Sequence, residues 1–193
     1  MVRQILNPSS KEIEVKYLIL FLSLLSLSEH GFASEKVEYV RVYKSERRLE
    51  LISKNEEIIK SYKIMLGRNP VGHKEKEGDN KTPEGTYTLD IKNSKSNFFK
   101  SLHISYPNFK DKLKAKLRGD DPGGSIMLHG LPNDFTEMND WLNSVGLGDL
   151  SDDLVRLSLL QFDWTNGCIA VTDEEITEIY DHIDVPTKIV IKP

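Results

Sequence analysis

Cysteine is almost absent from this sequence: among its 193 residues only Cys168 is a cysteine. No disulfide bond can form within the chain, which excludes a small fold that depends on disulfides. The sequence contains no CxxC, HExxH or HxH motif, so it lacks the ligand spacings of zinc peptidases. Residues 67–72 (GRNPVG) lack the Lys-Ser/Thr ending that a phosphate-binding P-loop requires. We therefore expect neither a metal ion nor another cofactor.

An excess of positive charge is also missing. The formal net charge is −4, and acidic and basic residues are interspersed. A broad basic surface is not indicated, so nucleic acid is not an expected partner. Hydrophobic residues make up 38% and charged residues 29% of the chain, as in soluble globular proteins.

The apolar run at residues 17–27 (YLILFLSLLSL) is too short for a comfortable membrane span, which needs roughly 20 residues. Its length is typical of the core of a signal peptide. Lys16 precedes it, and Gly31 and Ala33 occupy the −3 and −1 positions of a cut before Ser34. We therefore predict a signal peptide at residues 1–33 and export to the periplasm or cell envelope.

Two alternatives to a cleaved signal peptide stay open. Residues 1–16 form a long leading region that contains Glu12 and Glu14, so translation could start later, near Val15. The segment could also remain as an anchor that attaches the protein to the membrane through residues 17–28. In each case we expect the folded domain at residues 34–193.

Alternating apolar and polar residues predict a mainly β domain. In residues 37–43 the pattern predicts one face with Val37, Tyr39, Arg41 and Tyr43 and the other with Glu38, Val40 and Val42. Further strands are predicted at residues 49–53, 58–66, 86–91, 102–106, 125–128 and 188–192. The first three strands are close in sequence and suggest an antiparallel meander. Residues 67–85, rich in Gly, Pro, Asn and charge, predict a long ordered loop.

A few helices are predicted between and after these strands. One spans residues 111–118 and ends at Gly119. Residues 134–160 have helical spacing, with an apolar stripe at Leu150, Leu154, Leu157 and Leu160. Thr172 and Glu175 form a capping box for a last helix, whose apolar stripe is Ile176, Ile179, Tyr180 and Ile183.

Cys168 lies in residues 163–171 (DWTNGCIAV), after a glycine and before a short apolar run. Exported proteins usually keep their cysteines in pairs, because a lone thiol is open to oxidation. A glycine before a nucleophile lets the backbone turn sharply, and main-chain N–H groups around such a turn can bind an oxyanion. This context indicates a nucleophile; the alternative is a small buried residue.

A cysteine nucleophile needs a base, and an imidazole is the usual one. His30 lies in the targeting segment, His73 in a charged loop where histidines are usually solvated, and His182 at a helix end, where it favours the helix dipole. His103 and His129 each lie at a predicted strand. We favour His129, because it ends an apolar strand and precedes a glycine, although either could be a hydrogen-bonded structural histidine.

These motifs resemble the YkuD-type L,D-transpeptidase catalytic domain. The resemblance rests on residues 126–130 (IMLHG) and 167–169 (GCI). Further similar blocks are residues 44–51 (KSERRLEL), 66–87 (LGRNPVGHKEKEGDNKTPEGTY), 101–108 (SLHISYPN), 122–133 (PGGSIMLHGLPN) and 163–176 (DWTNGCIAVTDEEI). The resemblance extends over residues 37–193.

The resemblance implies a β-sandwich-like domain that acts on peptidoglycan stem peptides. Cys168 would attack the amide between the diamino acid and D-alanine of a tetrapeptide stem, with His129 as general base and the Gly130 carbonyl orienting the imidazole. An amine or water would then resolve the acyl-enzyme, and carbapenems would acylate the same thiol. The N–H groups of Gly167 and Cys168 would form the oxyanion hole. Further candidates for oxyanion or substrate contacts are Thr165, Asn166, His103 and Tyr106.

The sequence departs from the family pattern in three places. Asn166 stands where many members have histidine, and Ala170 where many have an arginine that would hold a substrate carboxylate. Arg118 and Lys81 are candidates to replace that cation. The insert at residues 133–161 is longer than usual and is either a lid over the cleft or an added helix.

Two other functions remain open at this stage. Water could resolve the same acyl-enzyme, which would make the protein an L,D-carboxypeptidase or amidase, or the domain could bind peptidoglycan without catalysis. Thiol reactivity would separate enzyme from binding module, because an activated Cys168 would alkylate faster than a free thiol at mildly acidic pH.

Overall fold

The fold begins with an antiparallel meander, as the sequence predicts. The computed structural model describes residues 35–144, 146 and 151–193, so the predicted signal peptide or anchor lies outside the described residues. Residues 36–193 form one unit with its own apolar core. None of the described helices is long and apolar enough to cross a membrane.

Strands outnumber helices in this unit, which confirms the mainly β prediction. The strands are β1 (Val37–Tyr43), β2 (Arg48–Ser53), β3 (Ile58–Lys63), β4 (Gly85–Ser96), β5 (Phe99–Ile104), β6 (Met127–His129), β7 (Ile169–Ala170) and β8 (Thr187–Lys192). The helices are α1 (Phe109–Arg118), α2 (Thr136–Ser144), α3 (Asp152–Leu159) and α4 (Asp173–His182).

Among the described residues the strands form one 8-stranded sheet in the order β3-β2-β1-β8-β4-β5-β6-β7. The pairs β1–β8 and β6–β7 are parallel, and the other neighbours are antiparallel. The sheet curls until its two ends meet. Met65, just after β3, bridges Ala170 in β7, and each N–H donates to the other's carbonyl at 2.8 Å. The last strand is therefore not a free edge, because the chain after β3 pairs with it.

The predicted alternation of β1 is wrong at its first residue. The register with β2 shifts between Val37 and Tyr39, as at a β-bulge. A bulge inserts one residue and moves the side chains before it to the other face. Val37 is consequently buried in the same core as Val40 and Val42.

Helix α4 covers one face of the sheet and confirms the predicted helix. The capping box is formed: the Glu175 N–H donates to Thr172 Oγ1 at 3.1 Å, and the Thr172 N–H donates to Glu175 Oε2 at 2.9 Å. The helix then packs against β5 and β6. Its side chains Ile176, Ile179 and Ile183 join the main core, as the predicted stripe requires.

Helix α3 confirms the helical spacing of the 133–161 insert but not its predicted inner face. Its buried residues are Val155 and Leu159, which pack with Met65 and Ala170 in a second apolar cluster. Leu154 and Leu157, members of the predicted stripe, are exposed. Both sets have helical spacing, and packing against the closure of the sheet selects the first. Of the other stripe residues, Leu150 is outside the described residues and Leu160 is partly buried against the same cluster.

The 67–85 loop is ordered, as predicted, by two buried lysines. Lys44 Nζ donates to the carbonyls of Gly72 at 2.5 Å and Thr82 at 2.9 Å and to Glu84 Oε1 at 2.8 Å. Lys74 Nζ donates to Asp79 Oδ1 at 2.9 Å. Buried charges that are fully paired hold a loop in one arrangement, because moving either partner leaves an unpaired charge.

Candidate active site

Strands β6 and β7 bring Cys168 and His129 to one face of the sheet. The strands are parallel, with His129 opposite Ala170. Two residues before Ala170, Cys168 comes opposite Met127, whose backbone N–H hydrogen-bonds the Cys168 sulfur. Side chains two residues apart along a strand share a face, so the thiol and the imidazole lie on the same side of adjacent strands.

His129 is buried, with 2% of its surface exposed. Its Nδ1 lies 2.6 Å from the Gly130 carbonyl oxygen. Because a carbonyl only accepts hydrogen bonds, this contact places the proton on Nδ1 and leaves the Nε2 lone pair free to accept a proton. Phe98 and Trp164 pack around the ring, with centroid distances of 4.5 and 5.7 Å.

This burial also sets the charge state of the imidazole. Loss of solvation lowers the pKa of His129 from 6.5 to about 4, although the hydrogen bond to Gly130 opposes the shift. The ring is therefore neutral at physiological pH. A neutral imidazole is the form that a general base requires.

The Cys168 side chain is partly exposed and contacts the backbone around β6. Its thiol donates to the Ser125 carbonyl at 3.6 Å. Burial raises the pKa of the Cys168 thiol, while the hydrogen bond from Met127 and the charge of Lys74 lower it in part. In the described part of the chain no hydrogen bond joins the thiol to His129. In the resting site the thiol and the imidazole are thus both neutral.

Two glycines allow three backbone segments to meet at the cysteine. A Cβ at Gly167 would lie 2.6 Å from the Lys81 carbonyl oxygen. Gly167 also has φ 127°, a conformation that residues with a side chain rarely adopt. A Cβ at Gly67 would clash with the Asn80 carbonyl oxygen and lie 3.0 Å from the Gly167 Cα. The glycine before Cys168 therefore permits a close approach of backbones as well as a turn.

The Thr165 side chain braces this turn from inside. Its hydroxyl donates to the Cys168 carbonyl at 2.8 Å and accepts the Gly167 N–H at 3.1 Å. The Gly167 N–H expected in the oxyanion hole is thus already bonded, and the buried Thr165 faces the turn and not a substrate. Among the described residues the Cys168 N–H has no protein acceptor, so it is the available oxyanion donor of the two.

The other two expected contact residues, His103 and Tyr106, are each engaged with groups other than the thiol. His103 pairs with Met127 on β6, so it lies two strands from Cys168, and its Nδ1 is 2.6 Å from Asp90 Oδ1. Tyr106 is 2% exposed, and its hydroxyl donates to the Pro122 carbonyl at 3.0 Å. This burial counts against a substrate contact at Tyr106.

His73 and His182, which sequence reasoning set aside, have structural contacts. The expected solvated His73 instead accepts the Glu84 N–H on Nδ1 at 3.0 Å, and its Nε2 is 3.3 Å from Asp111. It thereby ties the ordered loop to α1. His182 lies in the last turn of α4, with Nδ1 2.8 Å from the Glu178 carbonyl.

The structure shows the surroundings of the two residues, at positions 166 and 170, that differ from the family pattern. Ala170 is fully buried in the second apolar cluster, where a long cation would be costly. Asn166 is exposed, and its Oδ1 accepts a hydrogen bond from the Arg68 guanidinium. Arg68 is exposed beside the turn and makes no ion pair within the described residues. Sequence reasoning missed it, since the only signal was its place in the 66–87 block.

The two cations considered from sequence differ in availability. Arg118 is engaged, with Nε 3.1 Å from Asp120 and Nη2 donating to the Glu75 carbonyl at 2.7 Å. The Lys81 ammonium makes no ion pair in the part of the chain that the structure describes. Both line a cavity of 390 Å³ that also includes Asn69, next to Arg68. Arg68 and Lys81 thus each lack an ion-pair partner among the described residues, as does Lys76 on the cavity wall.

The described part of the 133–161 insert is anchored beside the site. Arg156 in α3 pairs with Asp173 at 2.6 Å, and Asp173 also accepts the Leu131 N–H at 2.8 Å. With Val155 and Leu159 buried, these contacts fix α3 against the closed end of the sheet. In the same described residues no group of three or more His, Cys, Asp or Glu side chains could hold a metal ion.

Comparison with known proteins shows which family has this architecture. The family model YkuD, L,D-transpeptidase catalytic domain, matches residues 37–191. The candidate L,D-transpeptidase YafK of Escherichia coli K12 is 33% identical over 97 residues, which cover 48% of this chain and 37% of YafK.

Two solved structures share the fold. Pgp2 of Campylobacter jejuni, a helical cell shape determining protein, is 25% identical with a TM-score of 0.53, covering 86% of this chain and 53% of that chain. Bd1075 of Bdellovibrio bacteriovorus is 26% identical with a TM-score of 0.50, covering 84% and 50%. The match spans about half or less of each of these three relatives. Since the family model matches nearly the whole described unit, the chain belongs to the YkuD family of L,D-transpeptidase catalytic domains.

Proposed function

We propose that this domain is an L,D-transpeptidase that acts on the tetrapeptide stems of peptidoglycan. The observation that carries the proposal is the placement of Cys168 and the buried, neutral His129 on one face of β6 and β7. Membership of the YkuD family supports the reaction class. The similarity to Pgp2, named for helical cell shape, supports a role in shaping the cell wall.

In the proposed first step, Cys168 becomes acylated. Rotation about its Cα–Cβ bond moves the thiol from Ser125 toward Nε2 of His129, which takes the proton as sulfur attacks the amide carbonyl carbon. The Cys168 N–H stabilises the oxyanion. His129 then returns the proton to the departing D-alanine amine, the C–N bond breaks, and a thioester remains. The Gly130 carbonyl holds the imidazole tautomer throughout.

In the second step, an acceptor amine attacks the thioester, and His129 accepts its proton before sulfur leaves as the thiol. Water in place of the amine would give an L,D-carboxypeptidase or amidase through the same intermediate. The partial exposure of Cys168 favours including this second function, because water can reach the thioester. Catalysis by either route separates the protein from a binding module.

We assign the missing carboxylate-binding cation to Arg68. Asn166 positions its guanidinium beside the cysteine turn, and no carboxylate of the described residues neutralises it. A guanidinium fork binds a carboxylate through two parallel hydrogen bonds. Lys81, whose carbonyl abuts Gly167, is a second cation without an ion-pair partner among the described residues. A substrate stem peptide supplies such a carboxylate at its D-alanine end.

Peptidoglycan lies outside the cytoplasm, so the proposal includes export. Residues 1–33 would act as signal peptide or anchor, with membrane attachment through residues 17–28, and residues 34–193 would form the catalytic domain. The predicted cellular site is the periplasm or cell envelope. N-terminal sequencing of the mature protein tests the cut: a start at Ser34 supports cleavage, and an intact N-terminus supports the anchor.

The test of the reaction uses residues 34–193, the Cys168→Ala variant and a disaccharide-tetrapeptide, with and without D-methionine. Intact-protein and product masses are read together. We expect an adduct on the unaltered protein only, with loss of D-alanine and either incorporation of D-methionine or cross-linked dimers. Loss of D-alanine without transfer supports the hydrolase. No adduct and no product refutes both functions on this substrate.

A matched pair of variants tests the choice of base. His129→Gln is expected to abolish the adduct, since no other group on the adjacent strand takes the proton. His103→Gln keeps it, because His103 lies across β6 from the thiol. Far-UV circular dichroism controls for folding, and the opposite ranking of the two variants overturns the assignment of His129.

A further inference from the structure

Helix α1 exposes its large apolar side chains to solvent. Phe109 is 82% exposed, Leu113 47% and Leu117 80%. Their spacing of four residues places them on one stripe. The residues that the helix buries are Asp111 and Ala115. At about 100° per residue, each lies about 160° around the axis from Leu113, so the stripe points directly away from the protein body.

The contacts under α1 fix this orientation. Asp111 Oδ2 accepts the Tyr87 hydroxyl at 3.0 Å and the Asn108 N–H at 3.0 Å. His73 Nε2 lies 3.3 Å from Asp111 Oδ1. Rolling the apolar stripe inward would carry this carboxylate out to solvent and break its contacts with Tyr87 and His73. A surface helix normally turns its apolar stripe to the core, and α1 has the reverse arrangement.

Lysines border the stripe on both sides. At about 100° per residue, Lys110 and Lys114 lie on one flank and Lys112 and Lys116 on the other. All four are exposed and form no ion pair within the described residues. This cationic strip stands out on a chain whose formal net charge is −4. An apolar stripe with lysines on both flanks matches a bilayer interface. There, the lysine stems extend along the apolar surface and their ammonium groups reach lipid phosphates.

We propose that α1 docks this domain on the surface of a membrane that contains anionic phospholipids. Phe109, Leu113 and Leu117 enter the boundary between head groups and acyl chains, and the lysines contact the phosphates. An apolar groove on a protein would need acidic residues along both of its rims to pair with these lysines, whereas an anionic membrane surface offers phosphates on every side. Docking would hold the cysteine site near the membrane, and it does not depend on the chemistry of Cys168.

Vesicle sedimentation tests the proposal on residues 34–193, which contain the whole described core and lack the 17–28 segment. The vesicles are phosphatidylcholine alone or phosphatidylcholine with phosphatidylglycerol. We expect binding to the mixed vesicles, and Leu117→Gln should weaken it about tenfold, because one buried leucine is lost. The matched control Leu157→Gln removes an exposed leucine from α3 and should bind like the unaltered protein.

Three results overturn the proposal. The first is that the unaltered protein stays in the supernatant with both kinds of vesicle. The second is that Leu117→Gln binds as tightly as the unaltered protein, which means that the apolar stripe is not inserted. The third is a dimer in size-exclusion chromatography that Leu117→Gln disperses, with no vesicle binding, which means that a second copy covers the stripe. Equal circular dichroism spectra confirm that the variants fold.

Discussion

Replacing Thr165 with valine removes one hydroxyl from the turn that carries Cys168 and leaves its shape nearly unchanged. That hydroxyl donates to the Cys168 carbonyl at 2.8 Å and accepts the Gly167 N–H at 3.1 Å. Thr165 and Gly167 are buried. The substitution therefore leaves one buried donor and one partly exposed acceptor without partners in an otherwise intact turn.

The expected cost follows from the burial of each group. A buried polar group without a partner costs about 1–3 kcal/mol. The Gly167 N–H pays this cost in full, whereas the Cys168 carbonyl regains water in part, so we expect a loss of about 2–3 kcal/mol in the free energy of unfolding. For a domain of this size, that loss lowers Tm by about 6–10 °C. The turn also relaxes, and a displacement of about 1 Å at a reacting atom can slow a reaction about a hundredfold.

Urea unfolding and the rate of acyl-enzyme formation by intact mass measure the two effects. Thr165→Ser is the matched control, because it keeps the hydroxyl and loses one methyl group. We expect the serine variant to remain close to the unaltered protein in acylation rate. If the valine variant unfolds within about 0.5 kcal/mol of the unaltered protein and acylates at the same rate, Thr165 does not brace the turn.

Three further predictions concern His129, Asp79 and Arg68. Burial lowers the pKa of His129 to about 4, so the rate of acylation should persist from about pH 7 to about pH 5 and fall near pH 4. A fall in rate centred near the ordinary histidine pKa of about 6.5 contradicts this prediction. Burial alone would raise the pKa of Asp79, but three backbone N–H groups and Lys74 hold it at about 2. The ionised Asp79 carboxylate stabilises the fold by about 2 kcal/mol above about pH 4, and this stabilisation disappears toward pH 2. The free energies of unfolding of the unaltered protein and Asp79→Asn in urea should therefore converge near pH 2. A difference that stays constant with pH refutes the prediction. Arg68→Ala should raise KM about tenfold for a stem peptide with a free carboxylate, and Arg68→Lys should have an intermediate KM. An equal rise in KM for the amidated peptide refutes the carboxylate contact.

Elements with local signals were predictable from sequence. The Thr172–Glu175 capping box and the Ile176, Ile179 and Ile183 stripe lie within twelve consecutive residues, and α4 forms there. Packing between distant segments was not predictable to the same degree. The bulge after Val37 and the inward turn of Val155 in α3 depend on neighbours from other parts of the chain. Periodicity alone does not choose between two helical faces of similar apolar content.

The candidate site shows the same difference between local signals, which were predictable, and contacts between distant segments, which were not. Motifs singled out Cys168 and His129, and their roles stay a proposal. The bridge between Met65 and Ala170 that closes the sheet joins residues far apart in sequence, so no local pattern predicts it. That closure explains why position 170 holds alanine, since the side chain points into an apolar cluster. It also brings Arg68 beside the cysteine turn, where spacing along the chain gave no reason to look.

The resting charge of the thiol separates two ways in which a cysteine enzyme can be activated. A thiolate–imidazolium pair formed before substrate binding would make Cys168 alkylate faster than a free thiol in mild acid, as the sequence first suggested. The structure favours the other way, because burial raises the pKa of Cys168 and lowers that of His129, so both groups are neutral. Deprotonation would then occur only as the thiol attacks the substrate, with His129 taking the proton.

The rate of Cys168 alkylation by iodoacetamide at about pH 6 decides between a preformed ion pair and a neutral resting pair. In the substrate-free protein we expect Cys168 to react more slowly than glutathione, because less of it is thiolate at that pH. The same protein unfolded in urea should react at the rate of an ordinary thiol, which controls for the reagent. His129→Gln should leave the slow rate unchanged, since no resting ion pair is lost. A rate above that of glutathione that collapses in His129→Gln would show a preformed ion pair, and the pH profile of acylation would then follow the pKa of the thiolate and not that of a neutral base.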